Sequence, residues 1–159
     1  MLFDHIYDSW KPVQYEKYLQ IEAYIPSRGF VLDVGTGNGY FQDFVRITKP
    51  ELKIIGIDIS SEMLKQNKNP DIIRAHGDFL PFRPVFDIIT CFDVLHVIKG
   101  TDLKIVMKDN GLILVLQFVR FSEIETVKQI RDKLAGFKIE HVEILEGQEK
   151  SVFMIGRMI

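Results

Sequence analysis

The feature that most restricts the fold of this chain is a glycine-rich segment at residues 31–41, which contains the pattern D-x-G-x-G-x-G. An apolar, strand-like run leads into glycines at positions 35, 37 and 39, and the spacing of a helix follows. Glycine lets the backbone turn sharply, adopt positive φ and approach a ligand without a Cβ atom in the way. The helix start that follows offers unpaired N–H groups. The segment predicts a ligand-binding turn, with an ordinary turn between a strand and a helix as the alternative.

The composition is that of a globular protein, since 47% of the 159 residues are apolar and 26% are charged. We expect one domain, in which residues 1–29 form a helical segment over the site and residues 30–159 form the sheet core. The net charge of -2 gives no global attraction to nucleic acid or to an anionic membrane. The lone Cys91 excludes an internal disulfide, and no histidine pair has metal-ligand spacing, so no metal is expected. Without a signal-peptide pattern or an apolar run of about 20 residues, a cytoplasmic protein with no membrane contact is expected.

Strand and helix patterns alternate along most of the chain. An apolar run, a helical spacing and a second apolar run form a βαβ unit around the glycines, and further strands follow to give a parallel sheet covered on both faces. The last two strand patterns, residues 138–145 and 151–158, are joined by a short polar link and predict an antiparallel hairpin. The expected fold is α/β, a Rossmann-like doubly wound, mostly parallel, seven-stranded sheet that ends in this hairpin. Such sheets bind ligands beyond the carboxyl ends of their strands.

A helix is predicted before the sheet, from Pro12 to Ile25. Proline suits the first turn of a helix, and Tyr18 and Ile21 fall on the side expected to be buried. Lys17 is among the polar residues expected to face solvent.

Two kinds of nucleotide-like ligand compete for the glycine turn. The dinucleotide fingerprint G-x-G-x-x-G, counted from Gly35 and Gly37, requires a third glycine where this chain has Tyr40. It also has an apolar residue at the strand end where this chain carries Asp33. The dinucleotide interpretation is therefore disfavoured relative to a methyl-donor fold.

The run from Asp33 to Gly39 resembles the first motif of the class I S-adenosylmethionine-dependent methyltransferases, in their small-molecule, type 11-like branch. Asp58, at the end of the second strand, is similar to the acidic residue that binds the ribose hydroxyls in that family. Asp78 and Phe79 resemble the third motif, in which the carboxylate meets the adenine amino group and the next side chain lies beside the ring. Further family-like segments are residues 3–8, 61–64, 86–96 and 108–115.

This resemblance implies S-adenosyl-L-methionine as cofactor and an enzyme that transfers its methyl group. The residues implied to bind the cofactor are Asp33, Gly35, Thr36, Gly37, Asp58, Ile59, Asp78, Phe79 and Cys91. An ionised carboxylate accepts two hydroxyl hydrogen bonds, as a ribose diol requires, although Asp58 also suits a turn that caps the next helix. Asp78 similarly suits an Asx-turn.

The acceptor side of the site is less defined. His96 and Asp93, just beyond the fourth strand, are the candidate catalytic residues for removing a proton from the acceptor. Tyr7, Trp10 and Tyr15 are candidate walls for a small-molecule substrate, unless these rings only pack against the sheet. Because little chain separates the fifth strand from the next helix, the pocket is expected to be shallow, with its cover from the N-terminal segment or from a second subunit in a homodimer.

Two further functions stay open. One is a module that binds S-adenosylmethionine but is inactive and serves as a partner or regulatory subunit. The other, disfavoured, is methylation of nucleic acid, for which a local basic patch is available. Its members are Lys65, Lys68, Arg74, Lys99, Lys104 and Lys108.

Overall fold

The computed structural model describes the backbone of residues 2–159 and the side chains from Ser9 onward. The strands are β1 Gly29–Val34, β2 Leu52–Asp58, β3 Ile72–Arg74, β4 Phe86–Phe92, β5 Met107–Phe118, β6 Phe137–Leu145 and β7 Ser151–Met158. The helices are α1 Leu2–Ile21, α2 Tyr40–Thr48, α3 Ser61–Gln66 and α4 Glu123–Lys133, with short 3-10 turns at Glu22–Tyr24 and Leu95–Val97.

The seven strands form one mixed sheet in the order β3-β2-β1-β4-β5-β7-β6. The strands β3, β2, β1, β4 and β5 pair in parallel, whereas β7 is antiparallel to both β5 and β6. The expected Rossmann-like α/β sheet with an antiparallel C-terminal hairpin is confirmed. The chain leaves β3 at one edge and re-enters at β4 beside β1, so the carboxyl ends of β1 and β4 form the switch point where ligands bind in such sheets.

Two apolar layers cover the sheet, because successive side chains of a strand point to opposite faces. Leu32 belongs to the layer that includes Ile130 of α4. Val31 belongs to the layer that includes Tyr18 of α1 and Phe41 of α2. By this alternation Asp33 lies on the α1 and α2 face, at the carboxyl end of β1.

Helix α1 differs from its prediction in both extent and orientation. It begins at Leu2 and ends at Ile21, so Pro12 lies inside the helix rather than in its first turn. Proline there forgoes one backbone hydrogen bond, and the apolar face around Tyr18 and Ile21, both buried, gives the helix tertiary contacts that offset this loss. The expectation that Lys17 faces solvent is wrong, since its side chain is 2% exposed.

The strand β5 contains a sequence that is typical of a turn. Asp109-Asn110-Gly111 lies within β5, with Asn110 at a φ of 62°. The pairing of β4 with β5 shifts register between Phe86 and Ile88, so the turn residues form an irregularity within the strand. Within the part of the chain that the structure describes, no helix has the length and apolarity needed to cross a membrane.

Candidate active site

The glycine turn after β1 folds over the end of β2. The N–H groups of Gly35 and Thr36 both donate to the carbonyl of Ile57, each at 2.9 Å. Gly37 follows with a φ of 57°, and its N–H donates to Asp58 Oδ2 at 2.9 Å. Among the side chains that the structure describes, a Cβ atom on Gly37 would meet only the Met63 methyl group, at 3.1 Å, so this position opens towards the ligand side of the turn.

A network of buried amides supports the turn from behind. Asn67 Nδ2 donates to the Gly37 carbonyl at 3.2 Å and to Gln42 Oε1 at 2.8 Å, and the Thr36 hydroxyl donates to the same Gln42 oxygen at 2.7 Å. Gly39 has a φ of 91°, and a Cβ atom there would lie 2.5 Å from Asn69 Nδ2. Gly39 therefore leaves the space in which these amides pack. The sequence motif did not identify this role of the third glycine.

A cavity of about 260 Å³ lies in front of the turn, beneath α1. It is lined by Trp10, Gln14, Tyr18, Asp33, Gly35, Thr36, Gly37, Asn38, Tyr40, Phe41, Met63, Phe92 and Asp93. We call this cavity the donor cleft, after the methyl donor that the sequence resemblance predicts for it. Its lining includes four of the residues expected to bind the cofactor, together with Trp10 and Asp93 from the expected acceptor side.

Asp33 is the buried carboxylate of the donor cleft, with only 3% of its surface exposed. The Thr90 hydroxyl donates to Asp33 Oδ1 at 2.6 Å. Burial raises the pKa of Asp33 from 3.8 to about 6, although the hydroxyls of Thr90 and Thr36 oppose this shift. A carboxylate whose charge is destabilised in this way is favourable to a cationic ligand group, such as a sulfonium or an ammonium.

Asp58 connects the turn to the start of α3. Its Oδ2 accepts from the Gly37 N–H, and its Oδ1 accepts from the Ser60 N–H at 2.9 Å. Ser60 in turn caps α3 by accepting from the Met63 N–H at 3.3 Å. The expected ligand role and the alternative turn role are compatible, because each carboxylate oxygen has a second lone pair for a hydroxyl donor.

Asp78 is held by the backbone that follows the Leu95–Val97 turn. Its Oδ1 accepts from the N–H groups of Lys99 at 2.8 Å and Gly100 at 3.1 Å. Partial burial opposes ionisation, but these backbone N–H groups outweigh it and lower the pKa of Asp78. These contacts are made by a distant segment rather than by the local backbone of an Asx-turn, and they tie the loop after β3 to the loop after β4.

Three other expected cofactor residues differ in accessibility. Phe79 and Ile59 are 76% and 58% exposed, so both side chains are available to a ligand. The Cys91 side chain is fully buried, and burial raises the pKa of its thiol far above the ordinary value. Only the backbone of Cys91 can approach a ligand.

The candidate catalytic residues lie in different places. Asp93 lines the donor cleft, and its Oδ1 accepts from the Phe118 N–H at 2.8 Å. His96 is exposed, and its Nδ1 lies 3.1 Å from Gln117 Oε1. With Gln117 and Gln129, His96 lines a separate groove beside α4. The sequence order of these two residues did not reveal that they face different cavities.

The candidate substrate walls also separate. Trp10 lines the donor cleft and is 41% exposed. Tyr15 packs edge-on against Phe44 of α2, with ring centroids 5.7 Å apart, so it supports α1 from the core side. Tyr7, the third candidate, lies in the part of the chain whose side chains the structure does not describe.

Comparison with known proteins gives the family. The model of the family described as "Methyltransferase domain" matches residues 7–148. The chain belongs to this family. The resemblance to class I S-adenosylmethionine-dependent methyltransferases is confirmed, and S-adenosylmethionine is the cofactor that the family implies for the donor cleft. The open space in front of Gly37 and the buried Asp33 carboxylate fit the cationic amino-acid end of this cofactor.

Relatives of this methyltransferase domain differ in their acceptors. Malonyl-(acyl-carrier protein) O-methyltransferase of Hamiltonella defensa is 31% identical, over 66% of this chain and 42% of that protein, so the chain spans less than half its length. Ribosomal RNA small subunit methyltransferase G of Lactococcus lactis is 28% identical, over 95% of this chain and 68% of that protein. The solved structure of a SAM dependent methyltransferase from Aquifex aeolicus shares the fold, with a TM-score of 0.70 and 17% identity over 88% of each chain.

Proposed function

We propose that this methyltransferase domain transfers a methyl group from S-adenosylmethionine to a small-molecule acceptor in the donor cleft. The observation that carries the proposal is the convergence of two carboxylates on one glycine turn. Asp33 lines the cleft from β1, and Asp58 accepts from the Gly37 N–H at the end of β2. The cationic end of the donor is thus matched by Asp33, and the ribose diol of the donor is matched by Asp58.

The chain's contribution to the reaction is mainly alignment. The bound donor supplies a methyl group on a positively charged sulfur, and an acceptor lone pair displaces that sulfur, which keeps the electron pair of the broken bond. Asp33 and the glycine turn hold the amino-acid end, and Asp58 holds the ribose. Alignment of the two reactants and exclusion of water then lower the barrier. For an acceptor that loses a proton, Asp93 is the proposed base in the cleft, and His96 is the proposed base if the acceptor lies in the groove beside α4.

The size of the site supports a small acceptor. The roof of the donor cleft is formed by Trp10 and Gln14 of α1, and only residues 119–122 connect β5 to α4. The negative net charge is unfavourable for a polyanionic acceptor. The relatives that act on an acyl-carrier protein or on ribosomal RNA define the two acceptor classes against which a free metabolite should be compared.

The donor assignment is tested by calorimetric titration with S-adenosylhomocysteine, the demethylated product. We expect Asp58→Ala to weaken binding by at least about tenfold, because hydrogen bonds to a charged group contribute roughly 1.5 to 3 kcal/mol each. Asp109→Ala is the matched control, since Asp109 is an exposed aspartate on β5. Equal affinity in wild type and Asp58→Ala would remove Asp58 from the donor site.

The acceptor assignment is tested with the methyl-labelled donor and three pools: metabolites, acyl-carrier proteins and RNA. We expect label in the metabolite fraction. Label only in RNA or only in a carrier protein contradicts the small-molecule acceptor but keeps the methyltransferase. Product binding without transfer to any pool supports the alternative, an inactive module that serves as a partner subunit.

A further inference from the structure

A buried lysine lies beside the donor cleft. Lys17, in the second half of α1, has a side chain that is 2% exposed. Its ammonium lies 3.2 Å from Asp93 Oδ2 and also contacts Glu149 Oε1. An ammonium group removed from water is costly unless it is paired. Lys17 therefore joins α1 to two carboxylates that come from separate parts of the fold, one after β4 and one in the connection between β6 and β7.

Lys17 shares a helix face with residues that form the roof of the cleft. Trp10, Gln14 and Lys17 are separated by four and three residues, a spacing that places them on one side of α1. Trp10 and Gln14 line the donor cleft, and the Lys17 ammonium is directed at Asp93, which lines the same cleft. Lys17 thus links the helix that forms the roof of the cleft to a carboxylate in the wall of the cleft.

A second contact fastens α1 to the connection between β6 and β7. The Glu16 carboxylate accepts from the Gln148 N–H at 3.3 Å and from Gln148 Nε2 at 3.1 Å. A Cβ atom on the neighbouring Gly147 would overlap the Glu16 carboxylate in its present position. Glu16 and Lys17, which are adjacent in α1, therefore contact Gln148 and Glu149, which are adjacent in the connection between β6 and β7. These paired contacts attach α1 more specifically than a single surface ion pair would.

Asp93 is held by its backbone N–H group and by both oxygens of its carboxylate. Its backbone is left-handed, with a φ of 56°, and its N–H donates to the Leu116 carbonyl at 2.7 Å. One carboxylate oxygen accepts from the Phe118 N–H, and the other contacts Lys17. The backbone of β5 and the Lys17 ammonium thus hold the Asp93 carboxylate together.

We propose that Lys17 is a positioning residue of this methyltransferase. It holds α1 closed over the donor and orients Asp93, while Glu149 balances its charge from the loop side. The proposal rests on the function proposed above. It assigns to Lys17 an effect on ligand binding that does not require contact with donor or acceptor.

The test uses Trp10, the only tryptophan of the chain, as a reporter of α1. Wild type, Lys17→Met and Glu149→Gln are titrated with S-adenosylhomocysteine, by calorimetry and by tryptophan emission. For Lys17→Met we expect about tenfold weaker binding, which corresponds to about 1.4 kcal/mol, and loss of the ligand-induced change in emission. Lys128→Met is the matched control, because that lysine lies on α4 and is 75% exposed.

The outcomes separate the two proposals. If wild type does not bind S-adenosylhomocysteine, the proposed function fails. If wild type binds and Lys17→Met binds equally well with the same change in emission, the positioning role is overturned. If circular dichroism shows that Lys17→Met is unfolded, Glu149→Gln decides, since it removes the carboxylate that attaches the Lys17 ammonium to the connection between β6 and β7. A weaker affinity and an altered emission response then support the positioning role, and unchanged values contradict it.

Discussion

The buried carboxylate of Asp33 has a cost for stability that can be calculated. Its pKa is raised from 3.8 to about 6 by burial, so the folded protein binds this proton more tightly than the unfolded chain does. Between pH 4 and pH 6 the folded state therefore carries more protons, and its stability falls as the pH rises. A shift of about two pKa units corresponds to about 3 kcal/mol, lost in full above about pH 6.

Asp33→Asn removes the charge and keeps an oxygen that accepts from the Thr90 hydroxyl. We expect the variant to be more stable than wild type above about pH 6, by up to about 3 kcal/mol. The difference should shrink as the pH falls and vanish below about pH 4, where the wild-type carboxyl is protonated in both states. The measurement is urea unfolding followed by circular dichroism at a series of pH values from 3 to 8.

The matched control is Asp109→Asn, an exposed aspartate whose replacement should change stability little at any pH. A destabilised Asp33→Asn variant at pH 8, or a stability difference that does not change with pH, refutes the reasoning. The same variant should bind S-adenosylhomocysteine more weakly than wild type, because the ligand's ammonium loses its carboxylate partner. Greater stability with weaker binding is the combination expected of a residue kept for function.

Two further predictions concern the glycine turn and the buried thiol. Gly39→Ala should lower the free energy of unfolding by roughly 1 to 3 kcal/mol, since its φ of 91° is strained for alanine and its Cβ overlaps Asn69. Gly37→Ala, at a φ of 57° with more open space around the new Cβ atom, should lower the free energy of unfolding by less, as measured by chemical unfolding. Equal losses in the two variants contradict the predicted overlap between the Gly39 Cβ atom and Asn69. Cys91 should resist alkylation at pH 8 in the native protein and react once the protein is unfolded, because its thiol is fully buried; rapid labelling of native protein contradicts that burial.

Much of the fold follows from short-range sequence patterns. The βαβ unit and the closing hairpin were predictable because apolar periodicity and turn residues act within a few positions of one another. The spacing of Asp33, Gly35 and Gly37 also predicted a ligand turn, because backbone conformation there depends on the local absence of a Cβ atom. The position of Asp58 after the second strand placed it near the turn, since parallel strands end at the same edge of the sheet.

The rest of the candidate site depends on contacts between distant segments. Asp78 is paired with backbone groups 21 and 22 residues away, so its turn-like sequence could not show which loop it fastens. His96 and Asp93 are close in sequence but line different cavities, because a 3-10 turn follows Asp93 and turns the chain towards α4.

The sequence by itself determined the glycine turn, the order of strands and helices, and the family, because these depend on local spacing and backbone freedom. Only the tertiary structure decided the role of Lys17. In sequence it is a lysine on an amphipathic helix, which predicts solvent exposure. Its burial depends on Asp93 and Glu149, which lie 76 and 132 residues away and supply the charges that make a buried ammonium tolerable.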